Sequence, residues 1–539
     1  MSQFSSLLAA AVAYGETDPE RPCLIWEATT ITYGDLIAAA RYWTLHYRQH
    51  GVIRGDRVGL YLAGGPAFLG AYLGAHLAGA AVVLINTQYR RVELDHILGD
   101  SEPRVVVCDA EGAMHLGELA ARPWAQLLTD PTRLKPALVE LAPGTLPHHR
   151  GEHTVDDPGS MSDPEGQLAA ALEQHAPLSI NEELPRPEDL AILAYTSGTT
   201  GRSKGAMLTH GGLIANSEAV CTAWNWQASD RLLLVLPLFH IHGLGVGVHG
   251  TLLRGASLVL RPRFEPEETL ATLREGRCTM FFGVPTIYTR LIDTVGAGEA
   301  LRDAGKHVRL FVSGSAALSP QTFADFAALA GQPILERYGM TETGMNLTNP
   351  YAGERRPGSV GGPFPGQEAR IVEVQSRQPV SAGTIGEIQV RGPHVFAGYW
   401  RNPAATAEVL GEDGWFSTGD LGHCSADGYY TITGRAKELI ISGGYNIYPR
   451  EVEEVLLDHP GLAECAVFGL PDATFGEQVV AAVVPRDPAN PPTDAELEHF
   501  CRERLAAYKR PRQIRLLTAL PRNAMGKVQK HVLKQEHAG

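Results

Sequence analysis

The chain has 539 residues, which is too long for one hydrophobic core of ordinary size, so two or more domains are expected. Its 44% apolar and 20% charged residues are typical of a soluble globular protein. A formal net charge of −14 argues against nucleic acid or an anionic membrane surface as a partner.

Two features of the sequence bear on location. The 7 cysteines are scattered and none forms a C-x-x-C pair, so reduced thiols in a cytoplasmic protein are expected. The N-terminus has no basic residue before Arg21, so neither a secretory signal nor an Arg-rich transit peptide is predicted.

The first part of the chain alternates predicted helices and strands. Thr32 can cap a helix that has Asp35 at its third position and Gly51 beyond its end. Because the predicted strands are apolar and alternate with helices, parallel sheets covered by helices are expected. These strands lie at residues 57–62, 105–108, 257–260 and 308–312.

Residues 68–85 are nearly uncharged and numerous enough to suggest a membrane span. The glycines and the central His76 favour another interpretation. It consists of a buried helix over about 66–77, a turn at Gly79 and a strand over 81–85. No membrane span is therefore predicted.

The short apolar run at 190–194 is predicted to be a strand that ends at a loop. The loop reads Tyr195-Thr196-Ser197-Gly198-Thr199-Thr200-Gly201-Arg202-Ser203-Lys204-Gly205. Glycines let the backbone approach a ligand, hydroxyls donate to phosphate oxygens, and Lys204 adds positive charge, so the loop is suited to polyphosphate. It is not a Walker A loop, because Ser203 precedes the lysine and Gly205 follows it. A flexible surface turn is the alternative, which the motifs further along the chain disfavour.

Two other regions differ in composition from the alternating part. Residues from about 141 to 187 are rich in Pro, His, Asp, Glu and Gly, and are predicted to be a solvated excursion without chemistry. Beyond Gly434 a small α+β unit is predicted, with Pro449 at a first helical position. The predicted β segments after about residue 385 are 387–390, 429–432, 464–468 and 479–484, with a helix near 495–507.

Residues 195–205 resemble the phosphate loop of the adenylate-forming superfamily, which comprises acyl-CoA synthetases, peptide-synthetase adenylation domains and luciferases. The resemblance extends from about Thr32 to Leu533. It implies an α/β protein with a large N-terminal domain, residues 1–434, of parallel-rich sheets covered by helices and a small β-barrel-like part. It also implies a hinge at 435–437 and a small mobile α+β C-terminal domain at 438–539.

The resemblance implies that ATP binds to the phosphate loop through Thr196, Ser197, Gly198, Thr199, Thr200, Gly201 and Lys204. A second fingerprint reads Arg337-Tyr338-Gly339-Met340-Thr341-Glu342-Thr343. An aromatic ring such as Tyr338 can stack on adenine, and Thr341 can reach phosphate. Glu342, together with Thr196, can hold Mg²⁺, which prefers oxygen ligands. Gly339 and Met340 belong to the same nucleotide site.

Three later motifs complete the resemblance at the ATP site. Asp420, at the end of Trp415-Phe416-Ser417-Thr418-Gly419-Asp420, matches the aspartate that binds the ATP ribose. Arg435 would contact ribose or phosphate, and Lys437 stands at the pivot between the domains. Lys527, in Pro521-Arg522-Asn523-Ala524-Met525-Gly526-Lys527, would stabilise negative charge at the α-phosphate as a carboxylate attacks it.

The glycine-rich run at 440–449 matches the loop that lines the pantetheine tunnel of CoA in acyl-CoA synthetases. Its residues assigned to CoA are Ser442, Gly443 and Gly444. His240 matches an aromatic or histidine that borders and gates the acyl site, and it is assigned to catalysis and substrate binding. His240 and His249 could suggest a metal site, but no Cys, Asp or Glu stands nearby, so zinc is disfavoured.

The acid is indicated by the pocket segments 283–290 and 312–316. Arg290 is out of place beside a fatty tail unless it pairs with a second carboxylate, and Ser313 can add a hydrogen bond. A surface arginine paired with Asp293 or with nothing is an equal alternative from the bare sequence. Resemblance to malonyl-CoA synthetases, which also accept methylmalonate, implies that Arg290, Ser313, His240 and Met340 bind the acid. Leu347-Thr348 departs from the smaller or hydroxylated residues expected there.

The resemblance therefore implies an acid–thiol ligase that uses ATP, Mg²⁺ and CoA, with malonate or methylmalonate as its acid. Its partners would be these small molecules. The alternatives are a medium-chain fatty or aryl acyl-CoA synthetase, a stand-alone adenylation enzyme that loads a carrier protein, and a nucleotide-binding regulator without turnover.

Overall fold

The computed structural model describes residues 4–119, 124–128, 184–196, 203–443, 445–472, 474–522 and 528–537. The chain divides into two compact units. Unit one comprises Met1–Pro357, Pro363–Glu368 and Arg391–Gly414, and unit two comprises Gly358–Gly362, Ala369–Val390 and Trp415–Gly539. The domain division at residue 434 and the hinge at 435–437 stay predictions.

Unit one is built on strands that alternate with helices, as the sequence predicts. The strands in this part of the chain are β1 (Pro22–Trp26), β2 (Thr29–Thr32), β3 (Arg57–Tyr61), β4 (Ala81–Leu84), β5 (Val105–Cys108), β6 (Ala125–Leu128), β7 (Leu190–Thr196), β8 (Lys204–Thr209), β9 (Arg231–Leu234), β10 (Ser257–Leu260), β11 (Met280–Gly283), β12 (Leu310–Ser313), β13 (Leu335–Met340), β14 (Gly344–Thr348) and β15 (Gly362–Pro363).

The helices of unit one connect and cover these strands. They are α1 (Leu7–Thr17), α2 (Tyr33–Gln49), α3 (Pro66–Leu77), α4 (Arg91–Ser101), α5 (Ala110–Gly117), α6 (His210–Ala223), α7 (His249–Arg254), α8 (Pro266–Arg274), α9 (Pro285–Asp293), α10 (Ala297–Ala304), α11 (Pro320–Ala330) and α12 (Pro403–Val409). A π-helix, His242–Val248, leads directly into α7.

Two sheets organise these elements. Among the described residues, one sheet has the order β6-β5-β3-β4-β7-β8, and its neighbours are parallel except for the antiparallel pair β7 and β8. The other has the order β15-β14-β13-β12-β11-β9-β10-β1-β2, parallel from β1 to β13, with β2 and β14 antiparallel. The predicted α/β class with parallel-rich sheets is confirmed.

Local signals fix the start of α2. The Thr32 hydroxyl accepts the Asp35 N–H at 3.1 Å, and an Asp35 carboxylate oxygen accepts the Thr32 N–H at 3.0 Å. This reciprocal capping satisfies donors that a helix start leaves unpaired. Trp43 and Tyr47 then lie buried on one face. The predicted cap is confirmed.

The apolar run at 68–85 has the predicted local structure. Helix α3 spans Pro66–Leu77 with every residue buried, Gly79 turns the chain at φ +81°, and β4 follows. A positive φ is a conformation that glycine adopts without strain. Within the part of the chain that the structure describes, no helix is both long and apolar enough to cross a bilayer.

Several predicted strand boundaries in unit one are wrong by one or two residues. The strand predicted at 308–312 is β12, which begins at Leu310. The Val308 N–H instead donates to the Ala304 carbonyl at the end of α10, at 2.8 Å, so this residue closes the helix rather than opening the strand. The predicted excursion at 141–187 lies outside the described residues except for its last four positions.

Unit two contains two smaller sheets. Its strands are β16 (Glu368–Val372), β17 (Gly386–Arg391), β18 (Phe416–Cys424), β19 (Tyr430–Arg435), β20 (Ile440–Ser442), β21 (Tyr445–Ile447), β22 (Leu462–Asp472), β23 (Gly476–Pro485) and β24 (Gln513–Leu516). Its helices are α13 (Pro449–Leu457), α14 (Asp494–Arg504) and α15 (Lys530–His537), with short 3₁₀ turns at Ala436–Glu438 and Ala507–Lys509.

The first of these sheets corrects the sequence prediction. Strands β16-β17-β18-β19 form an open sheet in that order, so the expected barrel-like part is not closed among the described residues. Four strands are too few to close around filled interior space. The second sheet, β21-β20-β23-β22 with β24 beside β23, packs Val452 and Leu456 of α13 into its core, which confirms the predicted α+β character.

The 7 cysteines are all free, in agreement with the predicted reduced state. Burial raises the pKa of the Cys23, Cys221 and Cys278 thiols to about 12. Such thiols behave as small apolar groups in the interior.

Unit one buries a group of histidines beneath the end of the six-stranded sheet. His76 donates to the Ala191 carbonyl of β7 at 3.0 Å, and its ring packs edge-on against His210 with centroids 4.6 Å apart. His249 lies 2.8 Å from the Tyr72 hydroxyl. Burial lowers the pKa of His76 to about 4 and that of His249 to about 3.

Acidification is therefore expected to destabilise unit one. A histidine whose pKa is lowered in the folded protein makes its full contribution to the free energy of unfolding at pH values above its ordinary pKa of 6.5. That contribution is lost as the pH falls toward 4, by about 1.4 kcal/mol per pH unit for each histidine. The urea midpoint of unfolding, measured by tryptophan fluorescence at pH 7, 6 and 5, should decrease as the pH is lowered. His76→Gln should flatten the dependence, whereas His499→Gln, at an exposed position, should leave it unchanged. A slope that His76→Gln does not alter would contradict this assignment.

Candidate active site

The predicted phosphate loop joins two paired strands. Thr196 ends β7, Lys204 begins β8, and these two residues are register partners in the antiparallel pair. The loop residues assigned to ATP between them, Ser197, Gly198, Thr199, Thr200 and Gly201, lie outside the described residues. The strand that precedes the loop is confirmed, and it ends two residues later than predicted.

Helix α4 holds both flanks of this loop. The Tyr195 hydroxyl donates to Asp100 Oδ2 at 2.6 Å, and the His96 ring nitrogen Nε2 donates to the Ser203 carbonyl at 2.7 Å. Asp100 and His96 stand four positions apart and so share one face of the helix. The sequence analysis missed both residues, because nothing local marks contacts with a loop about 100 residues away.

A carboxylate lies beside the loop end. Glu342 is buried, and its Oε1 accepts hydrogen bonds from the Thr196 hydroxyl at 3.2 Å and from the Tyr399 hydroxyl at 3.0 Å. The Lys204 ammonium lies 5.1 Å from the centroid of the Tyr399 ring. The structure therefore brings together three predicted site residues and adds Tyr399, which the sequence analysis did not single out.

This cluster has the chemistry that Mg²⁺ requires. Glu342 and Thr196 offer a carboxylate and a hydroxyl, both hard oxygen donors. Glu342 Oε2 accepts no hydrogen bond from any described residue, so one oxygen is open toward a ligand. The residues present fit a magnesium ion that also binds phosphate.

The second fingerprint forms a strand and a tight turn. Tyr338 is buried in β13, and its hydroxyl lies 3.8 Å from the Met340 sulfur. A Cβ at Gly339 would lie 2.2 Å from the Gly344 carbonyl, so only glycine allows β13 and β14 to pair so closely. Thr341 is half-buried at the turn.

Arg337 of the same strand is a buried cation. Its side-chain atoms Nε and Nη2 are buried and make no hydrogen bond within the described ranges, and no carboxylate there pairs with it. Burial lowers the pKa of Arg337 to about 9. Leaving a buried charge unpaired is strongly unfavourable, so a ligand anion is the natural counter-charge.

Polar groups without partners surround this guanidinium. A Cβ on Gly314 would lie 2.5 Å from Arg337 Cζ, which places the turn after β12 directly against the cation. Ser313 Oγ and His242 Nε2 are buried and have no hydrogen-bond partner in the described chain. His242 Nδ1 contacts the Ser315 hydroxyl at 3.1 Å, and Ser315 adopts a strained φ of +70°.

His240 precedes the π-helix and is half-buried. Its Nδ1 accepts the N–H of His242 at 3.2 Å, which leaves the ring proton of the neutral imidazole on Nε2. Burial and the charge of Arg337 lower the pKa of His242 well below its ordinary range. No group of three or more His, Cys, Asp or Glu side chains that could hold a metal ion occurs in the described residues, and His249 pairs with Tyr72.

Arg290 occupies a different setting from Arg337. It lies on α9, is exposed, and stacks its guanidinium over Phe264 at 5.0 Å from the ring centroid. It forms no ion pair with Asp293 or with another carboxylate that the structure describes. The structure thus gives no direct contact between Arg290 and Ser313 or His240.

Unit two holds the remaining predicted residues. Asp420 of β18 is buried, and its Oδ1 lies 3.0 Å from Arg435 Nε, its register partner on β19. Lys437 is exposed in the 3₁₀ turn. Ser442 is buried at the end of β20, and Gly443 turns the chain at φ +57°. Gly444 and Lys527 lie outside the described residues.

A half-buried lysine connects the C-terminal helix to the start of unit two's second sheet. Lys530 Nζ lies 3.1 Å from Glu438 and 2.7 Å from Glu453. Glu438 directly follows Lys437, so α15 is fastened to the residue after the predicted pivot.

Comparison with known proteins agrees with this arrangement. The family model of the AMP-binding enzyme matches residues 11–400, and that of the AMP-binding enzyme C-terminal domain matches residues 451–527. The chain belongs to the AMP-binding enzyme family. The predicted membership of the adenylate-forming superfamily is confirmed.

Relatives of this family member act on different acids. This chain is 33% identical over 96% of its length to a long-chain-fatty-acid–CoA ligase of Bacillus subtilis, and the match covers 92% of that protein. It is also 33% identical over 91% of its length to a malonate–CoA ligase of Arabidopsis thaliana, covering 80% of it. The solved structure of ATP-bound MatB from Rhodopseudomonas palustris matches 99% of each chain at 36% identity, with a TM-score of 0.85. The prediction of an acid–thiol ligase enzyme is confirmed, whereas the acid is left open.

Proposed function

We propose that this enzyme joins malonate to CoA through an acyl-adenylate, with methylmalonate as a second acid, and releases AMP and pyrophosphate. The general reaction is supported by the family and by its CoA-ligase relatives. The choice of acid is supported by one observation above all, the buried guanidinium of Arg337.

An acid with a second negative group suits the surroundings of Arg337. A distal carboxylate can accept two parallel hydrogen bonds from a guanidinium, and Arg337 has Nε and Nη2 free for that purpose. Ser313 Oγ and His242 Nε2 are available as further hydrogen-bond partners for that carboxylate. A fatty or aryl tail would leave all these groups buried and unpaired, at a cost of several kcal/mol.

The first half-reaction forms a mixed anhydride. One carboxylate oxygen of malonate attacks the α-phosphorus, a new O–P bond forms, and the bond to the β-phosphate oxygen breaks as pyrophosphate leaves. Lys204 and the Thr196 hydroxyl bind the phosphates, while Glu342 and Thr196 would hold Mg²⁺, which neutralises phosphate charge when bound. Lys527 stabilises the charge at the α-phosphate in the transition state.

The second half-reaction consumes this anhydride. The CoA thiolate attacks the acyl carbon, the thioester bond forms, and AMP leaves with the electron pair of the broken C–O bond. Asp420 and Arg435 hold the ribose, and Ser442, Gly443 and Gly444 line the path of pantetheine. Rotation about Lys437 of a mobile domain at 438–539 removes Lys527 between the two steps.

The alternative acid is a medium-chain fatty or aryl acid, which the fatty-acid relative favours. A carrier protein in place of free CoA, or nucleotide binding without turnover, are further alternatives. Thioester formation with ATP and Mg²⁺ should be compared for malonate, methylmalonate, acetate and octanoate. Turnover confined to the two diacids is expected. A preference for octanoate would overturn the acid, and pyrophosphate release without a thioester would point to another acceptor.

Arg337→Met should separate function from stability. The substitution removes an unpaired buried charge and keeps an apolar side chain of similar length, so the melting temperature should stay equal or rise. Malonate activation should fall by about 10²–10⁴-fold in kcat/KM, with the KM for ATP unchanged. A large loss of stability together with unaltered malonate kinetics would assign Arg337 to the scaffold.

Arg290→Ala is the matched variant for the other arginine. If Arg290 binds the distal carboxylate, Arg290→Ala should impair malonate activation far more than it impairs ATP binding. Unchanged malonate kinetics in Arg290→Ala would place Arg290 on the surface and leave Arg337 as the cation for the acid.

Lys527→Ala should abolish adenylation, because the ammonium acts on the α-phosphate only in the first step. Thioester formation from supplied malonyl-adenylate should stay largely intact. The two half-reactions are measured as malonate-dependent pyrophosphate release and as malonyl-CoA formation. An equal loss of both would refute the two-conformation scheme.

A further inference from the structure

Tyr399 contacts the two opposite charges of the proposed ATP site. Its hydroxyl donates to Glu342 Oε1 at 3.0 Å, and its ring centroid lies 5.1 Å from the Lys204 ammonium. Tyr399 is only 8% exposed, so these contacts occur in an environment with little water. Between a cation and a carboxylate in such a place, direct pairing is the favoured outcome.

Direct pairing does not occur. No ion pair joins Lys204 and Glu342 in the part of the chain that is described. The Tyr399 ring takes the contact with the ammonium, a cation–π interaction, and its hydroxyl takes an oxygen of the carboxylate. A single side chain therefore contacts both charges, which do not pair with each other.

The backbone fixes Tyr399 in this position from two sides. The segment 396–400 runs along β8: the Met207 N–H donates to the Gly398 carbonyl at 3.0 Å, and the Trp400 N–H donates to the Gly205 carbonyl at 2.7 Å. The Phe396 N–H donates to the Glu342 carbonyl at 2.8 Å. One short segment is thus bonded both to the strand that carries Lys204 and to the main chain of Glu342.

We propose that Tyr399 is a positioning residue that keeps Lys204 and Glu342 apart, one free for polyphosphate and the other for a divalent cation. The inference rests on the proposed function for the ATP site. It assigns distinct tasks to the two parts of the side chain. The ring separates the charges, and the hydroxyl holds the carboxylate in one rotamer.

The hydroxyl also decides which carboxylate oxygen is presented. Glu342 Oε1 is occupied by two hydroxyl donors, Tyr399 and Thr196, whereas Oε2 accepts none from a described residue. Partners behind a ligating carboxylate fix its orientation toward the metal.

Two substitutions separate the tasks. Tyr399→Phe keeps the ring and removes the donor, while Tyr399→Leu removes both. Tyr47→Phe is the matched control, because it removes another buried hydroxyl, bonded to the Ala71 carbonyl at 3.0 Å, far along the chain in the α2–α3 contact. ATP binding is measured by calorimetry with excess Mg²⁺ and with EDTA, and the Mg²⁺ dependence of acid-dependent pyrophosphate release is measured alongside.

Tyr399→Phe should raise the Mg²⁺ concentration for half-maximal pyrophosphate release about tenfold, as loss of a partner behind a metal ligand commonly does. Its affinity for metal-free ATP should stay within about twofold of the wild type. Tyr399→Leu should also weaken metal-free ATP binding about tenfold, because Lys204 is then neutralised by Glu342. Tyr47→Phe should match the wild type in both measurements.

An unchanged Mg²⁺ dependence in Tyr399→Phe, or equal effects in Tyr399→Phe and Tyr47→Phe, would overturn the assignment. Failure of the proposed function gives a different result from failure of this assignment. If no acid supports pyrophosphate release by the wild type, the calorimetric comparison with and without Mg²⁺ still decides the role of Tyr399. A wild-type protein that binds ATP equally well with and without Mg²⁺ would refute the role of Tyr399 in presenting Glu342 to the cation.

Discussion

Charged groups that no opposite charge neutralises among the described residues are the constraint on which the proposed active site depends. In the protein interior a cation and a carboxylate lower their energy by pairing, and a guanidinium lowers its energy by finding any acceptor. Arg337 has no acceptor at Nε and Nη2 among the described residues, and Tyr399 contacts both Lys204 and Glu342, which form no ion pair with each other there. These groups keep their full attraction for anions and cations that arrive from solution. Strands β12 and β13 and the segment 396–400 hold these groups through backbone hydrogen bonds.

The sheets position these groups through the ends of their strands. β7 ends at Thr196, and β11, β12 and β13 run parallel, so Gly283, Ser313 and the fingerprint strand meet at the same edge. Ligands in open α/β sheets bind beyond the carboxyl ends of the strands. Helix α4 then secures the flanks of the phosphate loop through His96 and Asp100. The positions of the chemical groups therefore follow from sheet topology more than from the loops themselves.

The sequence predicts what is local and misses what is distant. The Thr32 cap, the buried helix at 66–77 and the strand before the phosphate loop follow from patterns within a few residues, and all occur. The prediction of a barrel-like part was wrong, because the closure of a barrel depends on pairing between strands that are distant in the sequence. The sequence did not indicate Tyr399, because its hydrogen bond to Glu342 joins residues that are 57 positions apart. Arg337 stood within a quoted motif, but its burial without a partner depends on Gly314 and His242, which belong to other elements.

The buried thiols have a consequence for an enzyme that makes an activated acyl group. A mixed anhydride reacts with any thiolate it meets, including those of the protein that forms it. With a pKa of about 12, the Cys23, Cys221 and Cys278 side chains are thiolates in only about one molecule in 10⁵ at neutral pH. Burial and chemical inertness together protect the enzyme from acylating itself at these positions. The intermediate is thereby preserved for the one thiol that enters from solution.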